Sequence, residues 1–140
     1  MFNVRVYGLL INAKDQILLS YELIRGKYYT KFPGGGLEFG EGTIDGLKRE
    51  FSEEMNLSIE VKDHFYTTDF YQQSAFNPND QIISIYYYVS SDEPFDLNTI
   101  NSTEGRTENF RFINLAELSE EKVSFPIDKV VAGLLAKKGK

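Results

Sequence analysis

Several segments of the chain alternate apolar and polar residues, which is the pattern of β-strands that bury one face. They are rich in β-branched and aromatic residues, and short stretches with Gly, Pro, Asn or Asp separate them. The first two segments flank a turn at 13–15 and predict a β-hairpin. The longest contains Asp63 and His64, which predict a bend. The predicted strands cover residues 3–12, 16–23, 27–32, 37–39, 57–72, 81–90 and 109–113.

Residues 43–56 carry the strongest helical pattern in the chain. Their apolar residues recur at intervals of three or four, so they line one face of the helix, and we expect that face to be buried. The predicted buried face comprises Ile44, Leu47, Phe51 and Met55.

The remaining segments carry weaker signals. The run PGGG at 33–36 interrupts any regular element, and the polar residues 91–107 predict a loop. Residues 115–120 predict a helical turn, and residues 127–138 predict a terminal helix. The predicted buried face of that last helix comprises Val130, Val131, Leu134 and Leu135.

Three glutamates, Glu50, Glu53 and Glu54, share a second face of helix 43–56, and Arg49 can pair with Glu53 one turn along. A solvated acidic face is the ordinary explanation for such a cluster. Two features favour a cation site instead. Glu50 and Glu54 repel each other at i, i+4, and a glycine-rich loop lies just upstream. Carboxylate oxygens suit Mg²⁺, with Mn²⁺ as the alternative.

Composition narrows the choice of partners and cofactors. With 140 residues the chain fits one domain, and 15 Lys and Arg against 21 Asp and Glu make it acidic, with net charge −6. An acidic chain is poorly suited to polymeric nucleic acid, and no apolar run is long enough to span a membrane. The absence of cysteine excludes disulfides and thiolate metal sites and is compatible with a cytoplasmic location, which we expect.

The spacing of the charged residues resembles the signature of the Nudix hydrolase family. Five residues separate Gly35 from Glu41, and seven more separate Glu41 from the run REFSEE at 49–54. The run FPGG at 32–35 also resembles the usual lead-in to that signature. The family pattern ends with a glycine, where this chain has Asn56. Asparagine tolerates the left-handed conformation in which many helices end, so we expect Asn56 to end the helix in the same way.

The resemblance implies one α/β domain over residues 1–140, an α/β/α sandwich with a curved mixed sheet between helix 43–56 and the C-terminal helix. It implies that Glu50, Glu53 and Glu54 hold the metal, with the backbone of Gly35 close to it, and that Glu53, Glu54 and Arg49 take part in catalysis. Arg49 would orient Glu53 through a charge-assisted pair.

Two further acidic roles follow from the same resemblance. Glu41 either joins the metal site or caps the helix N-terminus. The general base that takes a proton from the attacking water is Glu108, with Glu104 in reserve and a helix glutamate as the third alternative. For Glu108 and Glu104, a solvated loop acid is the competing explanation.

Substrate contacts are less strongly indicated. Arg25 and Lys31 are candidate phosphate contacts, with solvated surface residues as the ordinary alternative, and Gly34 and Gly35 are further candidates for binding the substrate. Tyr71 is a candidate for stacking a flat group, although strand aromatics mostly pack in cores. Strand alternation in 81–90 places Ser84, Tyr86 and Tyr88 on one face, which we expect to meet the ligand.

These features predict a Mg²⁺-dependent pyrophosphohydrolase. Its substrate would be a small nucleotide-type molecule, namely a nucleoside diphosphate linked to another moiety, such as a nucleoside triphosphate or a nucleotide sugar. The alternative is a Nudix-type module that binds a nucleotide ligand without hydrolysing it. The resemblance leaves the oligomeric state open, with a homodimer as one option.

Overall fold

A computed structural model describes residues 1–138. Its elements, in chain order, are β1 (Phe2–Leu10), β2 (Gln16–Ile24), β3 (Lys27–Lys31), β4 (Gly34–Gly36), α1 (Thr43–Met55), β5 (Ile59–Thr67), β6 (Gln81–Ser91), α2 (Leu97–Asn101), β7 (Glu108–Asn114) and α3 (Pro126–Lys138). Two short 3-10 turns, Leu115–Glu117 and Glu120–Lys122, connect β7 to α3 in place of the single helical turn predicted at 115–120.

The strands form two sheets, with the orders β4-β1-β6-β5 and β3-β2-β7. The first sheet is mixed, because β1 runs parallel to β6 and antiparallel to β4. The second is antiparallel. The predicted hairpin between the first two strands is therefore wrong. Both edges of β1 are taken by β4 and β6 and both edges of β2 by β3 and β7, so only an Ile11–Ile17 bridge links them across the turn.

Two hydrophobic layers hold the sheets between the helices. One layer packs α1, through Leu47, Phe51 and Met55, against residues of both sheets. The other packs α3, through Val131 and Leu135, against the opposite side. This arrangement confirms the predicted α/β/α sandwich, except that two sheets rather than one fill the middle layer.

Helix α1 follows its prediction closely, with one difference at its start. Ile44 was expected on the buried face but is 47% exposed. Contact of the helix with the core begins two residues later, at Gly46 and Leu47. The helix ends as predicted at Asn56, which has left-handed backbone angles of φ 51° and ψ 39°. The Asn56 N–H donates to the carbonyls of Phe51 and Ser52, so it satisfies groups that the helix end would otherwise leave unpaired.

The glycine run was expected to interrupt regular structure, but Gly34–Gly36 form the edge strand β4. Glycine permits this pairing because neighbouring atoms already fill the space that a side chain would need. A Cβ on Gly34, at φ 148°, would collide with the Val6 carbonyl oxygen, so only glycine fits there. The strand predicted at 37–39 is not formed, since residues 37–40 make the turn into α1.

Three other predictions differ from the structure in part. The long strand ends at Thr67 rather than 72, although it is bent by register shifts on both sides of His64, as predicted. The predicted loop 91–107 contains the short helix α2, whose N-cap Asp96 accepts a hydrogen bond from the Asn98 N–H. In α3, Leu134 is exposed because the helix turns Ala132 towards the core. No helix within residues 1–138 has the length and apolarity to cross a membrane.

Candidate active site

Arg49 lies at the centre of an acidic cluster at the exposed side of α1. Its Nη1 donates to Glu50 Oε1 at 3.1 Å and to Glu53 Oε2 at 3.1 Å, which confirms the predicted Arg49–Glu53 pair. Its Nη2 donates to Glu41 Oε1 at 2.7 Å and to the Gly36 carbonyl at 2.9 Å. One guanidinium thus ties the helix glutamates to the glycine strand β4, using the fork geometry that only arginine provides.

Glu41 does not cap the helix, so that alternative is wrong. The N-cap of α1 is Gly42, and no side chain bonds to the free N–H groups there. The Glu41 carboxylate instead accepts from Arg49 and from the backbone N–H of Glu38 at 2.8 Å. The hydrogen bond from Arg49 is the main reason that the pKa of Glu41 lies below its usual range.

The backbone of Gly35 lies directly against the Glu50 carboxylate. A Cβ built on Gly35 would overlap the carboxylate oxygens of Glu50. The glycine therefore lets strand β4 approach the α1 carboxylates closely, while the role of the Gly35 backbone in a metal site stays a prediction.

Glu54 is the acid of the cluster with a carboxylate oxygen that is unpaired among the described residues. Within residues 1–138 its Oε2 atom is buried and has no hydrogen-bond partner. Burial, followed by the nearby charges of Glu108 and Glu50, raises the pKa of Glu54 well above its usual range, although Lys31 opposes the shift. As the side chains of residues 1–138 stand, no three of His, Cys, Asp or Glu are grouped closely enough to hold a metal ion.

Glu108 lies beside Glu54, but in a different setting from the predicted one. It is the first residue of β7 rather than a loop acid, and it is buried. Its Oε2 accepts from the Ser20 hydroxyl and from Lys31 Nζ at 3.2 Å. Lys31 is only 4% exposed and also pairs with Glu22 at 3.4 Å, so the solvated-surface explanation for Lys31 is wrong. Polar residues at alternate positions of β2, namely Ser20 and Glu22, were the signal for this buried network.

Burial by itself would lower the pKa of Lys31, but Glu108 and then Glu54 more than offset it, so the net effect raises the pKa. Lys31 is therefore a permanently charged group between two acids. Below Glu108, a shallow depression of about 270 Å³ is lined by Glu53, Glu54 and residues 103–108. Both candidate bases, Glu108 and Glu104, line it.

A second concavity, which we call the cavity, has a volume of about 340 Å³. It is lined by residues from β1, β2, β3, β6, the loop before β6 and the start of α3. Ser84 and Tyr86 line it, so the predicted alternation of β6 is confirmed, while their contact with a ligand stays a prediction. The Tyr86 hydroxyl donates to Asp128 Oδ1 at 2.5 Å. Burial is the main reason that the pKa of Asp128 is raised to about 6.

The predicted substrate residues lie in different surroundings. Lys31 lines the cavity. Arg25 is at its rim, with the guanidinium 5.2 Å above the ring of Phe76, a lining residue. Tyr71 is 68% exposed and does not line the cavity, so the structure gives it no stacking partner within residues 1–138. Gly34 and Gly35 are buried beneath the acidic cluster rather than open to the cavity.

Sequence reasoning missed Arg5 and Tyr7, two of the three residues of strand β1 that line the cavity, and Asp128 of α3. A signal for the first two was present, because a charged residue and a tyrosine alternate with Val4 and Val6 in an otherwise apolar strand. Asp128 carried no comparable signal, since an acid in the first turn of a helix is common at helix N-termini.

The described geometry matches a known domain. The family model for the NUDIX domain matches residues 1–134. The chain therefore belongs to the NUDIX domain family.

Similar proteins extend this result. A NUDIX hydrolase from Nitrosomonas europaea has a similar structure, with a TM-score of 0.74, 21% identity, and coverage of 100% of this chain and 91% of that one. An ADP-ribose pyrophosphatase from Streptococcus suis has a TM-score of 0.66 at 17% identity, covering 98% and 90%. An RNA pyrophosphohydrolase from Ruthia magnifica subsp. Calyptogena magnifica is 40% identical over 59 residues, 42% of this chain. The match spans about a third of that relative, 32% of its length.

Proposed function

We propose that this protein is a pyrophosphohydrolase that uses Mg²⁺ to cleave a diphosphate bond in a nucleoside diphosphate linked to another moiety. The observation that carries the proposal is the acidic cluster of α1, held by Arg49 against the glycine strand β4 and open to solvent on its other side. Membership of the NUDIX family and the pyrophosphatase names of two similar proteins support it.

The residue types of the cluster suit a divalent cation, whose binding would draw together carboxylates that are not closely grouped in residues 1–138 as they stand. Glu54 has a buried carboxylate oxygen without a partner within residues 1–138, and the Gly35 backbone is pressed against Glu50. Hard oxygen donors of this kind are the ligands that Mg²⁺ prefers. Glu50, Glu53, Glu54 and the backbone of Gly35 would hold the ion. When bound, it would neutralise diphosphate charge and make a water molecule more acidic.

The chain's own residues have three tasks in this reaction. Arg49 orients Glu50 and Glu53 through hydrogen bonds from its Nη1. Glu108 accepts the proton of the attacking water through Oε1, because its Oε2 is already bonded to Ser20 and Lys31. Lys31 holds the Glu108 carboxylate in place through an ion pair at 3.2 Å.

The cavity would receive the part of the substrate that is not cleaved. Its volume of about 340 Å³ lies at the lower end of the range for small-molecule sites. Aromatic side chains, Phe76 and Phe125, line it together with the polar groups of Tyr86 and Asp128. This mixture suits a flat group that carries hydrogen-bond donors, such as a nucleobase.

The proposal is tested by product release from a substrate panel. Nucleoside triphosphates, nucleotide sugars, ADP-ribose and a 5′-triphosphorylated RNA oligonucleotide are incubated with Mg²⁺, with Mn²⁺ and with EDTA. We expect metal-dependent cleavage of at least one small molecule and none in EDTA. Saturable binding of a nucleotide without any turnover would contradict the enzyme and favour a binding module.

The RNA oligonucleotide is included because the curated relative is named an RNA pyrophosphohydrolase. The acidic charge of this chain argues against RNA as its substrate. A net charge of −6 provides little attraction for an RNA backbone. We therefore expect any cleavage of the RNA end to be slower than cleavage of the preferred small molecule. The reverse order would move the substrate class to RNA.

A further inference from the structure

Arg5 is a half-buried cation on β1 that lines the cavity. Its Nε donates to the Tyr7 hydroxyl at 2.6 Å, which fixes the direction of the guanidinium. Among the described residues no carboxylate lies within 4 Å of it, and no hydrogen bond uses its two terminal nitrogens. Neither nitrogen is among the buried unpaired atoms, so neither is fully enclosed by the protein.

Lys31, the other cation that lines the cavity, is already paired with acids. Lys31 is neutralised by Glu108 at 3.2 Å and by Glu22 at 3.4 Å. A buried charge that is already paired gains little from a second anion. Of the two cations that line the cavity, Arg5 thus has the unused positive charge and the free donors.

Arg5 also lies between the cavity and the acidic cluster. It pairs across the sheet with Gly36, and its Nη1 is 3.7 Å from the point where a Cβ of Gly36 would lie. The carbonyl of Gly36 accepts from Arg49, the centre of the cluster. Burial by itself would lower the pKa of Arg5, but Tyr7 offsets it, and the charges of Glu50 and Asp128 add smaller contributions that raise the pKa, so both acids lie within electrostatic reach of the guanidinium.

We propose that Arg5 binds the phosphate that joins the diphosphate to the group held in the cavity. This inference rests on the proposed function, because a diphosphate cleaved at the acidic cluster must pass Arg5 to place its remaining part in the cavity. A guanidinium with two free nitrogens matches two phosphate oxygens, and the Tyr7 bond holds it in place before the substrate arrives. Arg5 is a substrate-binding residue that selects compounds with a phosphate at this position.

The experiment separates phosphate binding from turnover by using the full chain without metal. In EDTA, affinities are measured by calorimetry for the 5′-monophosphates of adenosine, guanosine, cytidine and uridine and for the four nucleosides. For the tightest pair, the ratio of the two dissociation constants reports the contribution of the phosphate. We expect wild type to prefer the monophosphate by about tenfold or more, since a charge-assisted bond contributes that much.

Arg5→Met should remove most of that preference while leaving the affinity for the nucleoside within about twofold. Arg5→Lys, which keeps the charge but loses the fork, should retain part of it. Arg111→Met is the matched control, because Arg111 is an exposed arginine that stacks on Tyr21 outside the cavity. It should keep the full preference. Thermal unfolding of each variant reports on the fold, and Arg5→Lys tests the proposal if Arg5→Met does not fold.

Three results would overturn the proposal. These are no preference for the monophosphate in wild type, an unchanged preference in Arg5→Met, or an equal loss of affinity for nucleoside and monophosphate. The last result would assign Arg5 to the support of the cavity walls. A wild-type protein that cleaves no substrate but loses phosphate preference in Arg5→Met would contradict the proposed function and leave the role of Arg5 intact.

Discussion

The acidic cluster and the cavity lie side by side but are assembled in different ways. All acids of the cluster and their arginine come from residues 35–54, on one helix and the strand and turn before it. The cavity draws its lining from residues as distant as Asn3 and Asp128. A local segment can thus carry the bond-breaking chemistry, while the choice of substrate depends on contacts between remote parts of the chain. Replacements in the acidic cluster can therefore change turnover without changing substrate recognition. Replacements in the cavity can change recognition without changing turnover.

The two regions also treat charge differently. In the cluster, Arg49 shares its guanidinium among partly exposed acids, which solvent can screen. In and beside the cavity, Lys31 and Asp128 are almost fully buried, where each ionised group must be offset by a neighbour. Variants in the cluster should therefore affect mainly activity, and variants in the cavity should affect stability as well.

The largest effect should come from Glu108, at the boundary of the two regions. Glu108→Gln should lower kcat by ~10²–10⁴-fold at saturating Mg²⁺, because the amide accepts no proton from water. The acid limb of the rate–pH profile should shift or disappear. Glu104→Gln, in the same depression, is the control and should retain activity. A large loss in Glu104→Gln with a normal rate in Glu108→Gln would move the role to Glu104, and normal rates in both would leave a helix glutamate as the base.

Glu54→Gln should test the cluster alone. Replacement of one carboxylate ligand should cost ~10²-fold in activity at limiting Mg²⁺, since an amide binds the cation more weakly. In EDTA the variant should unfold at the same temperature as wild type or higher. Burial raises the pKa of Glu54, so the folded state disfavours its charge. Glu60→Gln, an exposed acid of β5, serves as the control for both measurements. Near-normal turnover in folded Glu54→Gln would exclude Glu54 as a metal ligand.

Asp128 tests the cavity. Its pKa is about 6 in the folded protein against 3.8 for the free side chain, so the folded state binds the proton more tightly. The free energy of unfolding should therefore fall as the pH rises from about 4 to about 6. Above about pH 6, Asp128 should cause no further decrease.

Asp128→Asn should remove this pH-dependent decrease in the free energy of unfolding. In denaturant unfolding at pH 7.5 it should be more stable than wild type by about 1–3 kcal/mol, with the difference vanishing near pH 4. The same variant should raise KM for the preferred substrate while affecting kcat less. A variant that is less stable than wild type at pH 7.5 would show that the carboxylate stabilises the folded cavity, contrary to our expectation.

The smallest effect should come from the end of α1, which supports both regions and contacts neither substrate part. Asn56→Gly should be neutral or should stabilise by less than about 1 kcal/mol, because glycine adopts positive φ without strain. Asn56→Val should destabilise by about 1–2 kcal/mol, since β-branched side chains resist that conformation. Equal stability of the two variants would contradict the helix-end account of this position.

The sequence by itself determined the part of the molecule whose interactions are local. Helix α1, its end at Asn56 and the Arg49–Glu53 pair follow from spacing along one helix, because i, i+4 neighbours meet in any fold. The strand character of 81–90 and the alternation of its faces follow in the same way, since the period of a strand is a local property.

Only the tertiary structure decided which strands pair and which charges are buried together. Local signals favoured a hairpin of β1 and β2, yet each strand found better partners on both edges. Glycines that looked like a break became an edge strand because Val6 and Glu50 leave no room for a side chain. Lys31 and Glu108, 77 residues apart, form a buried pair, and Arg5 faces the cavity between them and Asp128. Such contacts depend on how distant segments pack, which no periodicity within a segment records.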